Sequence, residues 1–198
     1  MKMVEEKKEI IEVEVEQLPT DALAPWEKRI KLVRELVAKG STPEEFQLLV
    51  HLSREYGLDP LKREVYCVRY GNNPTQIFIS RDGALSIAHR SGDFEAMETT
   101  VEFEKKPENP KITYVDRIKK PYSATCTIYK KGSSRPFRET VYFSEYNLGQ
   151  ALWLKKPCTM LKKVAESQCL RKAFNIHGVF DQSEFPETET IKIEQNGN

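Results

Sequence analysis

The stretch from residue 157 to residue 174, PCTMLKKVAESQCLRKAF, decides how the rest of the chain is interpreted. It predicts one long helix, in which successive residues are turned by about 100°. One side of this helix gathers apolar and small side chains together with one glutamine: Leu161, Val164, Ala165, Gln168 and Cys169. A helix with such a side packs it against the other elements of a folded domain.

The opposite side of the same helix carries polar and basic side chains at roughly one-turn spacings: Lys156, Lys163, Ser167 and Arg171. Cations at such intervals can follow a phosphate backbone, with lysine as a point charge and arginine as a forked donor. An ordinary amphipathic helix with a solvated basic side has the same pattern. The helix alone leaves both interpretations open.

The charge of the whole chain is strongly uneven. The net charge of the 198 residues is +1, yet residues 105–172 hold 16 Lys and Arg against five acids, a net of +11. The first 30 residues are at −3 and the last 26 at −4. A solvated face of mixed charge is one explanation, but few acids lie near this basic segment, and a polyanion such as nucleic acid fits it better.

The upstream pattern predicts short helices and antiparallel strands. A first helix is expected at 26–39, with Ile30, Val33, Leu36 and Val37 on one side. A second helix begins at a capping box formed by Thr42 and Glu45 and ends at Gly57, and a third is expected at 82–90. Strands are expected at 64–70, 76–79, 94–104, 122–130 and 137–143, with a turn at 71–74 and a basic hairpin tip at 130–135. The prediction is an α+β domain, a meandering and mainly antiparallel sheet flanked by helices.

The ends of the chain differ from this central part. Residues 1–25 are acidic and predict a flexible arm, residues 26–180 the folded core, and residues 181–198 an acidic disordered tail. No apolar run approaches the ~18–20 residues that span a bilayer, and the N-terminus does not resemble a signal peptide. We therefore expect a cytoplasmic protein whose four cysteines, Cys67, Cys126, Cys158 and Cys169, are reduced.

The sequence shows no catalytic, metal or cofactor site. The three histidines, His51, His89 and His177, are far apart and have no ligand-spaced partners. No Walker A, nucleophile-elbow or dinucleotide-binding motif occurs. We expect a protein that is not an enzyme and needs no cofactor.

Aromatic side chains accompany the basic segment. Trp153 precedes the long helix beside Lys155 and Lys156, where it either stacks on bases or, as a lone tryptophan more often does, packs over the helix start. Most of the tyrosines on or near strands are expected to be half-buried, with one or two facing DNA: Tyr66, Tyr70, Tyr114, Tyr122, Tyr129, Tyr142 and Tyr146.

Taken in order, several motifs resemble the RecT/Bet family of phage single-strand annealing recombination proteins. The long helix, with its Trp-x3-Pro-x2-Met-Leu-x6-Gln-Cys-x-Arg-x-Ala-Phe pattern from Trp153 to Phe174, resembles that family's C-terminal helix. Upstream similarities are YGLDP at 56–60, RDG at 81–83, SGDF at 91–94, CTIYKK at 126–131 and GVFD at 178–181. Each motif is weak alone, but their order and spacing from about residue 44 to 185 are specific.

The resemblance implies a Rad52-like annealing core, in which a sheet and a long basic C-terminal helix line a positive groove. It also implies assembly into rings or helical filaments and pairing of complementary strands without ATP. By motif position, Arg81, Lys162, Lys163 and Arg171 are expected to face DNA or support the groove. Charge and position add Lys130, Lys131, Lys155 and Lys156 as expected DNA contacts.

Single-stranded DNA and the annealed duplex intermediate are therefore the expected partners, beside further copies of the chain. A phage 5′–3′ exonuclease and a host single-strand binding protein are partners that the resemblance implies for the family. The chain ends soon after the core, where several family members have a further partner-binding domain. The alternatives are a passive single-strand binding protein and, less well supported, a small metal-dependent nuclease.

Overall fold

The computed structural model describes residues 25–69, 75–104, 121–147 and 151–181. The elements follow one another in the order α1 (Ile30–Leu36), α2 (Pro43–Glu55), β1 (Val65–Val68), β2 (Gln76–Ile79), α3 (Arg81–Arg90), β3 (Phe94–Phe103), β4 (Pro121–Lys130), β5 (Phe137–Tyr142), α4 (Phe143–Tyr146), α5 (Ala151–Lys155), α6 (Pro157–Ala173) and β6 (Phe180–Asp181). Antiparallel strands flanked by helices confirm the predicted α+β class. The predicted arm at 1–25 and tail at 181–198 lie almost wholly outside the described residues, as does the predicted turn at 71–74.

The described strands form two sheets, and not the one continuous meander that was predicted. In the small sheet, β1 pairs with β2 in antiparallel fashion, and β6 returns after α6 to pair with β2 in parallel. In the large sheet, β4 lies between β3 and β5, and both pairings are antiparallel. The alternation of apolar residues identifies a strand but carries no information about its partner, so the division into two sheets was not predictable from it.

The first predicted helix is shorter and differently buried than expected. A 3-10 turn at Glu27–Arg29 precedes α1. The two are separated at Arg29, whose backbone angles of φ −121° and ψ 34° are not those of an α-helix. Val33 is buried as predicted, but Leu36 is 69% exposed, so its place on the predicted apolar face is wrong. The next helix begins as predicted: Thr42 and Glu45 form a reciprocal capping box.

The large sheet buries one face against α6. On β4 the side chains of Ala124, Cys126 and Ile128 alternate toward the helix and are fully buried. From the helix, Leu161, Val164, Ala165 and Cys169 face them and are at most 1% exposed. Full burial of a side chain such as leucine contributes about 1.5–3 kcal/mol, so this contact is the centre of the core.

Helix α3 joins the two sheets. Its N-cap Ser80 accepts a hydrogen bond from the backbone N–H of Gly83, and the backbone N–H of Ser80 donates to the carbonyl of Glu64, just before β1. Gly83 lies so close to this strand that an added Cβ would come within 2.2 Å of the Glu64 carbonyl oxygen. The first turn of α3 therefore requires glycine for space.

Replacing Gly83 by alanine is predicted to destabilise the protein by about 3 kcal/mol, the upper end of overpacking losses, because a Cβ in this position must displace backbone. Gly132→Ala is the control. The residue has a φ of +72° and nothing within 4 Å of an added Cβ, so it should lose only about 1–2 kcal/mol from the left-handed backbone. Urea denaturation of both variants measures the difference, and equal losses would contradict the close contact of α3 with β1.

A half-buried carboxylate connects α2 to the hairpin of the small sheet. Glu45 accepts hydrogen bonds from the backbone N–H groups of Thr42 and Thr75 and from Arg69 Nη2 at 3.0 Å. Burial alone would raise the pKa of Glu45, but these hydrogen bonds outweigh it and lower the pKa to about 2. The charged form of Glu45 is thus part of the folded structure.

The stabilisation by Glu45 is predicted to depend on pH. Because its folded pKa lies below the ordinary 4.5, the contribution is complete above that pH and is lost as the pH falls toward 2. Glu45→Gln should lower the free energy of unfolding by about 1–3 kcal/mol at pH 7, since hydrogen bonds to a charged group are lost. Urea denaturation at several pH values checks this, with Glu35→Gln on the exposed side of α1 as the charge control. The prediction is wrong if the difference in the free energy of unfolding between wild type and Glu45→Gln stays constant down to pH 2.

Candidate nucleic-acid interface

Four exposed lysines gather where α5 ends and α6 begins. Lys155 and Lys156 stand at the junction, and Lys162 and Lys163 follow within the first two turns of α6. None of the four ammonium groups bonds to another residue within the part of the chain that the structure describes. We call these four residues the lysine cluster.

The start of α6 has no negative charge to balance this cluster. Neither α5 nor the first turn of α6 contains an acidic residue, and the N-cap residue Lys156 makes no side-chain capping bond. A helix N-terminus carries partial positive charge and unpaired N–H groups, so a cation at this end is unfavourable by about 0.3–1 kcal/mol. A bound phosphate would relieve this accumulation of positive charge.

The nearest carboxylate on α6 is neutralised from another helix. Glu166 stands one turn after Lys162 and Lys163, is 9% exposed, and accepts a bond from Arg81 Nη1 at 2.9 Å. Arg81 also bonds to Asp82 Oδ1 through Nε at 3.2 Å and Nη2 at 3.0 Å. Burial alone would lower the pKa of Arg81, but the bonds with Asp82 and Glu166 raise it above its ordinary value. Arg81 therefore stays charged, and it lies against Glu166, one turn after Lys162 and Lys163 on α6.

The basic hairpin tip lies at the other end of α6. Lys130 Nζ donates to the carbonyl of Ala173 at 3.0 Å and lies 4.6 Å from the centre of the Phe174 ring. A cation is favourable there, because the C-terminus of a helix carries partial negative charge. Lys131 is exposed and donates through Nζ to the carbonyl of Gly92 at 2.9 Å. At 1.5 Å per residue, about 15 Å of helix separates Lys163 from Ala173, and about 25 Å separates Lys156 from it.

The predicted line of cations along α6 is not a continuous exposed stripe. One turn after the exposed Lys163, Ser167 is only 3% exposed. Arg171 is half-buried and its Nε is shielded from solvent. The stripe prediction is therefore wrong beyond Lys163, whereas a DNA contact by Arg171 stays a prediction.

Trp153 packs inside the protein. It is 6% exposed, and its ring lies 6.0 Å from that of Phe143, which agrees with packing over the helix start and leaves little of the ring for base stacking.

The most exposed tyrosines are Tyr122 and Tyr142, whose rings meet edge to face at 5.6 Å, and Tyr129. Tyr129 and Tyr142 alternate with buried residues and so point away from α6. Tyr70 and Tyr114 lie outside the described residues.

The pairing of Arg81 with Glu166 was not predicted from the sequence. The two residues are 85 positions apart, and the local pattern offered Glu166 only lysines of its own helix as partners.

Within the described ranges, no group of three or more His, Cys, Asp and Glu side chains has the arrangement to hold a metal ion. None of the described helices has the length and apolar character to cross a membrane.

Comparison with known proteins agrees with the motif resemblance. The chain is 27% identical over 180 residues to the recombination protein bet of Escherichia phage lambda, which covers 85% of this chain and 62% of the phage protein. It is 29% identical over 125 residues to the protein UU154 of Ureaplasma parvum serovar 3, covering 62% of this chain and 50% of that protein. The chain thus spans about half to three fifths of the length of these relatives. The RecT family matches residues 25–196, which is most of the chain, and the protein therefore belongs to the RecT family.

Proposed function

We propose that this protein anneals complementary single strands of DNA without ATP, in the homologous recombination of a phage or prophage. The lysine cluster is the observation that carries the proposal, because exposed cations at an uncapped helix N-terminus form a site for phosphates. Membership of the RecT family supports it, as does the similarity to a phage protein that is named for recombination.

The mechanism follows from what lysines can recognise. An ammonium group binds phosphate without distinguishing bases, so the cluster fixes the backbone and leaves sequence unread. With the backbone held, the bases of the bound strand remain available to a second strand. Watson–Crick pairing then selects the partner, and the protein supplies local concentration and alignment.

The predicted DNA-binding residues divide into contacts and supports. We assign the first phosphate contacts to Lys155, Lys156, Lys162 and Lys163. Arg81 lies beside them, next to Glu166. Arg171, in the second half of α6, is a further DNA contact in this proposal. Lys130, which is half-buried, supports the end of α6 through the Ala173 carbonyl, and Lys131 at the hairpin tip is a more distant contact. Trp153 supports the start of α6 by packing.

Self-association completes the proposal. One groove of this size would cover few nucleotides, roughly the ~4–16 of single-strand binding modules, so stable pairing requires several copies in a ring or filament. A Rad52-like annealing core, a phage 5′–3′ exonuclease and a host single-strand binding protein as partners, and a cytoplasmic location in the bacterial host are parts of the same proposal.

A passive single-strand binding protein is the second candidate, because the lysine cluster would serve it equally well. The two functions differ in their effect on a complementary strand. Annealing speeds the formation of duplex, whereas passive coverage of each strand slows it. A metal-dependent nuclease would instead shorten the DNA when magnesium is added.

Neutralising two lysines of the cluster is predicted to weaken binding and its salt dependence together. The double variant Lys162→Gln, Lys163→Gln should lower affinity for single-stranded DNA at low salt. It should also flatten the slope of log K against log salt by about 1.4, since each phosphate contact contributes ~0.7. The control is Lys31→Gln, Lys39→Gln, which also removes two charges from exposed lysines, one on α1 and one three residues after it. Fluorescence anisotropy at several salt concentrations measures both quantities, and equal slopes in the two double variants would contradict the assignment.

Wild-type protein is predicted to accelerate the pairing of dye- and quencher-labelled complementary oligonucleotides without ATP. The Lys162→Gln, Lys163→Gln variant should lose most of this acceleration, because strands that are not held cannot be aligned. Slower pairing in the presence of the protein would favour passive binding. A denaturing gel after incubation with magnesium tests the nuclease, which predicts shortened oligonucleotides.

A further inference from the structure

The guanidinium group of Arg81 bonds to two carboxylates that differ in burial. Nη1 bonds to Glu166 at 2.9 Å, across the contact of α3 with α6. Nε and Nη2 both bond to one oxygen of Asp82, the next residue of the chain. The edge of the guanidinium group that carries Nε and Nη2 is thus occupied by an acid of its own helix.

The two carboxylates are held with unequal strength. The side chain of Glu166 is 11% exposed, whereas that of Asp82 is 78% exposed. Breaking a buried pair strands a charge away from water and is costly, but exposed pairs contribute only about 0–1 kcal/mol. Asp82 is therefore the partner that a competing anion can displace, while Glu166 keeps Arg81 in place.

The position of this pair next to the lysine cluster suggests what the competing anion is. Glu166 stands three residues after Lys163 and four after Lys162, so all three lie on neighbouring turns of one side of α6. Arg81, which is 39% exposed, adjoins that side. A DNA phosphate bound by the lysines would lie near an arginine edge whose two N–H groups match two phosphate oxygens.

We propose that Asp82 competes with DNA phosphate for Arg81, and that a bound strand takes over this arginine edge while Glu166 holds the guanidinium in position. Glu166 is then a positioning residue, and Asp82 sets how tightly each strand is held. The inference rests on the proposed function, since it requires DNA at the lysine cluster. Weak holding suits an annealing protein, because a strand has to shift in register until it matches its complement.

Displacing Asp82 from Arg81 costs little free energy because of where Asp82 lies. It stands in the first turn of α3, where the partial positive charge of the helix N-terminus attracts a carboxylate whether or not Arg81 is bonded to it. A displaced Asp82 remains solvated and favourably placed. No covalent change and no movement of α3 is required.

The test is Asp82→Asn, which keeps the shape and removes the charge. Affinity for an oligothymidine strand should rise about two- to fivefold at low salt, because an exposed ion pair no longer competes. The slope of log K against log salt should become steeper by about 0.7, since Arg81 now binds phosphate in exchange for solvent ions. Glu35→Gln, which also removes one exposed negative charge but lies on α1, should change neither quantity.

Arg81→Gln provides the background that separates competition from general charge repulsion. If Asp82 acts by occupying Arg81, Asp82→Asn should have less than half of its effect in the Arg81→Gln protein. An equal effect in both backgrounds, or no tightening in the wild-type background, would overturn the inference. Thermal unfolding of each variant shows whether the fold is retained, and Arg81→Lys, which keeps the charge but loses the fork, replaces Arg81→Gln if that variant unfolds.

The outcome distinguishes this inference from the proposed function. If wild-type protein binds and anneals DNA but Asp82→Asn binds no more tightly, only the role of Asp82 is wrong. If wild-type protein does not bind single-stranded DNA at all, the proposed function fails, and the inference fails with it.

Discussion

Helix α6 has to bury two sides at once, and the rest of the structure depends on this constraint. The large sheet packs on one side through Ala124, Cys126 and Ile128, while α3 packs on another, where Arg81 bonds to Glu166. The second half of the helix is consequently mostly buried, and Leu170 and Ala173 are enclosed as well. Lys172 is exposed there but pairs with Glu139 at 2.9 Å, whereas Lys162 and Lys163 are exposed in the first two turns.

The same constraint gives the two ends of α6 different electrostatic roles. At the C-terminus Lys130 meets backbone carbonyls, so its charge stabilises the helix end and is already used by the protein. At the N-terminus the lysine cluster adds positive charge to an end that is already positive. Cations of similar appearance in the sequence thus serve the fold at one end and are available to an anion at the other.

The contact between α3 and α6 connects the fold to this charged surface. Gly83 and Ser80 hold the start of α3 against the strand at Glu64, and that position brings Arg81 to Glu166. Without this pair, Glu166 would be a buried and uncompensated charge one turn from the lysine cluster. The packing of α3 on α6 therefore shapes the electrostatic potential that a phosphate would meet at the lysine cluster.

The sequence by itself determined the local features of this protein. The capping box at Thr42, the positions of α2, α3, α6 and of the strands β1 to β5, the apolar side of α6 and the basic character of its first turns all follow from neighbours within a few residues, and periodicity reports such neighbours directly. The RecT family resemblance was equally readable, because it rests on motifs in a fixed order.

Tertiary structure alone decided which strands share a sheet, why the basic side of α6 ends at Lys163, and that Lys130 and Trp153 turn inward. It also decided that Arg81 pairs with a residue 85 positions away. These outcomes depend on which surfaces meet when helices and sheets pack. A periodic pattern states that a face will be buried, but it does not state what will cover that face.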